Sequence, residues 1–218
     1  MNQPARPRGR GGRPAVLTTE RVVAAAVEVL DAEGLDALTM RRVGARLGVA
    51  AMSLYRHVPN RDALLAGVVN HLFSQAVAEP DPESPEGPES SEGTEGAEGP
   101  WAEALTRFAV AYRRTLLLHP RAVPLLATHP VDVDTGLTLL AGLLDRFAAA
   151  GVPREGALTA IQSVGVYVLG HALAQVGTPP GAAGPAPVAD PAATAFYDHW
   201  FDAGLLAMVS GFERQLAG

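Results

Sequence analysis

The stretch that most constrains this chain is residues 38–65, LTMRRVGARLGVAAMSLYRHVPNRDALL, because its punctuation leaves one arrangement open. Thr39 can cap a helix, and Gly48 can take the left-handed turn that ends one. Pro59 cannot continue a helix, and Asn60 can cap the next. The spacing therefore predicts a short helix from Thr39 to about Leu47, a turn at Gly48, a second short helix over Ala50–His57, and a longer helix from Asn60 to about Ala78. Val43, Leu47, Val49 and Leu54 can form the small core that fixes the angle between the two short helices. Ser53, Tyr55, Arg56 and His57 then project from the second helix. Thr39, Arg41, Arg42 and Arg61 are placed to touch phosphates, and Ala51 and Met52 to meet thymine methyls. The helix pattern alone leaves two readings open: a DNA-reading helix-turn-helix, and an ordinary helical hairpin carrying a surface arginine cluster.

Charge bears on that choice. The net charge is -6, but it is unevenly placed. Residues 1–61 hold ten arginines against five acids (Glu20, Glu28, Asp31, Glu33 and Asp36), whereas residues 79–98 hold eight acids and no base. A basic N-terminal unit on an acidic chain suits a polyanion partner at one end. The chain lacks cysteine, which excludes disulfides and thiolate metal sites. It also lacks lysine, so every basic contact falls to arginine or histidine.

Along the rest of the chain, residues 1–16 are Gly, Pro and Arg with almost no apolar content, and are expected to be a disordered basic arm able to enter a minor groove or touch the backbone. Thr18 or Thr19 starts a helix whose apolar positions Val23, Ala26, Val27 and Leu30 recur at helical spacing, with Gly34 as its stop. Residues 79–100, rich in Pro, Glu, Ser and Gly, are expected to be a solvated linker. Beyond it, Trp101, Ala104, Leu105, Phe108, Ala111, Tyr112 and Thr115 share one helical face. Shorter helices follow near Ala122–Ala127 and Thr135–Ala150. Ala157–Val176 and Phe196–Leu216 read as buried helices, separated by a second Gly/Pro/Ala loop over 177–191. No strand alternation is present, so the fold class is all-α. The expected domains are a three-helix DNA-binding unit at 17–63, a connecting helix at 64–78, and a larger helical domain at 101–218. With 218 residues and 48% hydrophobic content, both units can bury a core.

No apolar run is expected to reach the roughly 20 residues a bilayer span needs, and the basic N-terminus lacks an apolar signal core. The expectation is a cytoplasmic protein without membrane contact. No nucleophile elbow, phosphate loop, metal spacing or paired carboxylates appear, so no enzyme activity, cofactor or metal is expected.

The same run of residues resembles the DNA-binding domain of the TetR (tetracycline-repressor) family. The shared pattern is LTxRxxAxxLGVxxxxLYxHVxNxxxLL, with Gly44 here in place of the usual alanine. WAEALTRFAVAYRRTLLLHP through GVYVLGHAL, and FDAGLLAMVSGFERQL, are similar to the C-terminal domain of the tetracycline-repressor branch. That resemblance implies a homodimer, held by a four-helix bundle made from residues 157–176 and 196–216 of each subunit, that represses transcription at palindromic operator DNA and is released by a small inducer. It also places Leu125 at the position of the branch's metal-binding histidine, Leu143 at a ligand-contacting glutamine, Phe108 at an asparagine and Ala76 at a histidine. A hard cation wants oxygen or imidazole ligands, and leucine supplies neither. The implied pocket is therefore more apolar, lined by Phe108, Tyr112, Leu125, Leu143 and Tyr167, with His129, Gln162 and His171 as polar contacts for an organic ligand other than magnesium-tetracycline. His119, His129 and His171 also read as helix-end or core histidines, and Tyr167 as a core or dimer contact. A DNA-binding regulator without a small-molecule inducer is the alternative.

Overall fold

The computed structural model describes residues 16–78, 100–176 and 190–216. Nearly all of the basic arm, the acidic linker and the second loop lie outside the described residues, and Pro100, expected at the end of the linker, opens a helix instead. Among the described residues the structure is all-α, with ten α-helices and two 3-10 turns.

Helix α1 spans Thr19–Glu33. Thr18 caps it by accepting from the Arg21 amide, and Gly34, at a φ of 86°, closes it. A 3-10 turn at Leu35–Ala37, which no sequence signal announced, leads into α2 (Met40–Leu47). The Thr39 hydroxyl accepts the Arg42 amide at 3.2 Å. Gly48 adopts the left-handed conformation at a φ of 69°. Helix α3 (Ala51–Leu54) is shorter than expected, because residues 55–57 continue it only as a turn before Pro59. The Asn60 side chain then accepts the Ala63 amide at 2.8 Å and starts α4 (Arg61–Ala78). Val22, Leu30, Leu38, Val43, Leu54 and Leu64 are buried together where α1, α2, α3 and α4 meet.

Helix α4 leads out of this head into the larger unit, where it packs along α5 (Pro100–Leu118). A 3-10 turn at Pro120–Ala122 joins α5 to α6 (Val123–Thr128). The single helix expected over 135–150 is two, α7 (Val133–Leu139) and α8 (Ala141–Ala149). Leu140, with ψ near 5°, breaks the run. Successive residues of a straight helix point about 100° apart, and the break lets Leu139 and Leu140 both pack on the core. Helices α9 (Arg154–Val176) and α10 (Pro191–Leu216) complete the unit, α10 beginning five residues earlier than Phe196. Helix α5 is central, touching α4, α8, α9 and α10.

Helix α9 corrects one expectation. By length and composition it could cross a membrane, because its charges, Arg154 and Glu155, sit at its N-terminus and small residues keep the rest apolar. Here Ala157, Ala160, Ile161, Val164, Val168 and Ala172 are buried against α5, α6, α8 and α10.

Candidate nucleic-acid interface and ligand core

The turn between α2 and α3 packs closely on Gly44. A Cβ there would meet the Val49 carbonyl oxygen at 2.9 Å and the Ala51 amide nitrogen at 3.2 Å, both backbone atoms. The Val49 amide in turn bonds the Gly44 carbonyl at 2.9 Å. Val43 and Leu54 are fully buried under this turn, with Leu47 and Val49 packed beside them.

That frame fixes an outward face. Met52 is 76% exposed and Tyr55 44% exposed, although both are large and partly or wholly apolar. Arg56 is exposed, while Ala51, Ser53 and His57 are half-buried at the edge. The Thr19 hydroxyl reaches the His57 carbonyl at 3.4 Å and ties α1 to the end of the α3 turn. Thr39 and Arg41 are exposed at the start of α2. Two arginines are already engaged. Arg42 donates from Nε to both carboxylate oxygens of Glu33 at 2.8 Å, and from Nη2 at 2.7 Å. Arg61 donates to the Leu38 carbonyl at 3.3 Å and holds α4 against the loop before α2. Arg46, not singled out in the sequence, pairs with Glu28 at 2.6 Å. Both acidic partners come from α1.

In the larger unit the eight expected ligand residues fall into separate places. Phe108 and Tyr112 stack at 5.9 Å on α5, and Phe73 of α4 meets both edge-on at 6.1 and 5.6 Å. This trio is buried, and burial pushes the Tyr112 phenol up to about 12, so the hydroxyl stays protonated. Leu125 of α6 is fully buried in the same core, and Leu143 of α8 is packed at its edge. His129 ends α6 and contacts the Thr128 hydroxyl at 3.0 Å. Phe73 was missed in the sequence, since one aromatic on an apolar helix carries no distinguishing signal.

Tyr167 and His171 belong to a second cluster between α9 and α10. The Tyr167 hydroxyl donates to the Phe201 and Trp200 carbonyls at 3.0 and 3.1 Å. His171, 4% exposed, is surrounded by Tyr167, Tyr197, Trp200 and Phe201 at centroid distances of 5.2–6.0 Å. Neither ring nitrogen has a hydrogen-bond partner among the described residues. Burial and the nearby Arg113 cation hold its pKa below the ordinary histidine value. Arg113 stacks on Phe201 at 4.7 Å and donates to Asp198 at 2.6 Å and Gln175 at 2.9 Å. Gln162 lies apart, on an open groove of about 670 Å³ along the N-terminal half of α9, with Arg154, Leu158 and Ser163 among its walls. No group of three metal-ligating side chains occurs among the described residues.

Residues 22–68 match the sequence model of bacterial regulatory proteins of the tetR family, and residues 94–190 match that of the tetracyclin repressor-like C-terminal domain. The chain is 32% identical over 172 residues, 78% of its length, to an HTH-type transcriptional regulator of Saccharopolyspora erythraea. It is 34% identical over 170 residues, 77% of its length, to the HTH-type transcriptional repressor DrrR1 of Streptomyces coeruleorubidus. It spans 66% and 56% of the lengths of these two relatives. Among solved structures, ActR of Streptomyces coelicolor in complex with actinorhodin superposes with a TM-score of 0.67 at 27% identity, covering 94% of this chain and 100% of that one.

Proposed function

The chain belongs to the TetR family of bacterial transcription regulators, and on that footing we propose that it is a repressor that binds palindromic operator DNA as a homodimer and is released by a small organic ligand. The observation that carries the reading is the face built by α2 and α3. Met52 and Tyr55 are exposed there on a backbone locked by Gly44 and Gly48, beside Arg41 and Arg56. Large exposed side chains on a rigid short helix suit base edges and thymine methyls, and the flanking arginines suit phosphates.

Dimerisation is supported by the exposed apolar residues of α9 and α10, namely Val166, Leu173, Phe196, Trp200 and Leu206. A patch of this kind on two adjacent helices suits a second copy of the same pair, two helices from each subunit. The domain limits proposed are 17–63 for the head, 64–78 for the connecting helix and 101–218 for the sensing and dimerising unit. The ligand reading rests on Phe108, Tyr112, Leu125 and Leu143, which offer apolar walls and no ligands for a hard cation, so the inducer is an organic molecule other than magnesium-tetracycline. ActR, solved with actinorhodin, is one relative in fold that holds a small organic molecule.

The test is in vitro selection from randomised duplex DNA, followed by gel shift at fixed salt. A palindrome bound at least about a thousandfold more tightly than random DNA is expected; selection that yields no preferred duplex refutes the reading. One observation favours the second reading, a regulator without a small-molecule inducer: the Phe73, Phe108 and Tyr112 trio already fills the space between α4 and α5. A thermal-shift screen against organic compounds separates the two, since a true ligand raises the melting temperature further with each increase in its concentration above Kd.

A further inference from the structure

Besides their shared helix α4, the head and the larger unit meet at a polar corner. The last turn of α1 lies against the 3-10 turn that joins α5 to α6. There the His119 Nδ1 lies 2.7 Å from the Asp31 carboxylate, 88 residues away in the chain. A carboxylate only accepts, so Nδ1 carries the proton. Two residues on, the Arg121 guanidinium donates to the Ala32 carbonyl, one of the groups that the end of α1 leaves unpaired. The other Asp31 oxygen is buried without a partner among the described residues. Losing the His119 bond would therefore leave the whole carboxylate poorly satisfied, which makes this corner costly to open. His71 of α4 faces the same corner, and its pKa is lowered by burial and by His119.

The placement of this corner matters as much as its bonds. His119 lies two helical turns beyond Tyr112 and just before α6, which carries Leu125. It is also the point where α1, and through α1 the reading face, is pinned to the unit that carries α9 and α10. We propose that the Asp31–His119 and Arg121–Ala32 contacts fix the seating of each head on the dimerised core, and so set the half-site spacing that the protein accepts in its operator. His119 and Asp31 are positioning residues in this role, remote from the reading face. The inference rests on the reading of the chain as a dimeric DNA binder.

The test uses the full-length protein and the duplex recovered by selection, together with versions whose half-sites are one base pair closer or further apart and a duplex carrying one half-site. The wild-type protein should lose about tenfold or more in affinity when the spacing changes. His119→Ala should bind the native spacing about tenfold more weakly, discriminate little between spacings, and bind the single half-site as the wild type does. His119→Asn, which keeps a donor at the Nδ1 position, should restore the discrimination. A folded, dimeric His119→Ala with wild-type spacing preference overturns the proposal, as does a loss that is equal on the half-site, which would mean damage to the head itself. Should His119→Ala fail to fold, Asp31→Asn and Arg121→Ala read the same corner by the same criteria. A selection that recovers no duplex removes the DNA-binding reading first, and the spacing role with it.

Discussion

Glu33 holds the arginine that a phosphate would have to take, and its replacement by glutamine tests whether Arg42 belongs to the DNA interface. The Arg42 guanidinium makes three contacts with the Glu33 carboxylate, at 2.7 and 2.8 Å, on an exposed edge of the head. The carboxylate holds the Arg42 pKa above the ordinary arginine value, as a bound phosphate would. Glu33→Gln keeps the shape of the side chain and removes its charge, so Arg42 reaches a phosphate without first leaving a partner. Operator affinity should rise severalfold. Arg42→Ala should act on the salt dependence instead. Each neutralised phosphate adds about 0.9 to the slope of log K against log salt. Losing one contact per subunit of a dimer should flatten that slope by about 1.8. Over a fourfold change in salt this amounts to about a 12-fold smaller loss of affinity. Fluorescence anisotropy on a labelled operator at four or five salt concentrations measures both quantities. An unchanged slope in Arg42→Ala, with unchanged affinity in Glu33→Gln, would refute the phosphate role and leave the pair as a strut between α1 and α2.

Other expectations are as direct. Gly44→Val should destabilise the head by about 1–3 kcal/mol, read by thermal melting, because a branched side chain there presses on backbone atoms that cannot rotate away; a melting point equal to wild type would show that the turn relaxes freely. Tyr55→Ala and Met52→Ala should weaken operator binding at least about fivefold while leaving the melting temperature unchanged, since both side chains are exposed; full retained affinity in both would remove them from the reading face. His171 and His71 both have pKa values lowered by burial, so the unfolded chain binds more protons than the folded one in mild acid. Stability should therefore be complete above the ordinary histidine pKa near 6.5 and fall as pH drops below it, by at most about 1.4 kcal/mol per pH unit for each histidine. His171→Phe should reduce that acid sensitivity, and an unchanged melting-temperature profile between pH 5 and pH 8 would count against burial of the neutral ring.

Much of the head was legible because its determinants are local. Thr39, Gly48, Pro59 and Asn60 each act on their own backbone or within three residues of it, so their types alone announce where helices start and stop. The break at Leu140 was not legible, because it is imposed by packing and no Gly or Pro stands at the break itself. The pairing of Arg42 with Glu33 could not be read either, since it spans a loop whose 3-10 turn carries no signal. In the larger unit, similarity of sequence placed Phe108, Tyr112, Tyr167 and His171 in one expected pocket. The structure divides them between two aromatic clusters, one joining α5 to α4 and one between α9 and α10. Helical periodicity reports that a residue faces inward, not which neighbour it faces, and four helices pack around α5.

The Tyr167 hydroxyl has a consequence for how this chain can vary. It bonds the backbone of α10 at Trp200 and Phe201, and it occupies the space where a side chain at Gly204 would stand. The two positions are thus linked: a methyl at 204 can be accommodated only if the phenol at 167 withdraws, and withdrawing it breaks the bond its one proton shares between the Trp200 and Phe201 carbonyls. Among relatives that keep this crossing of helices, a tyrosine at 167 should be accompanied by glycine at 204, and any larger residue at 204 by loss of the hydroxyl at 167. The pair forms a unit of inheritance that neither residue reveals alone.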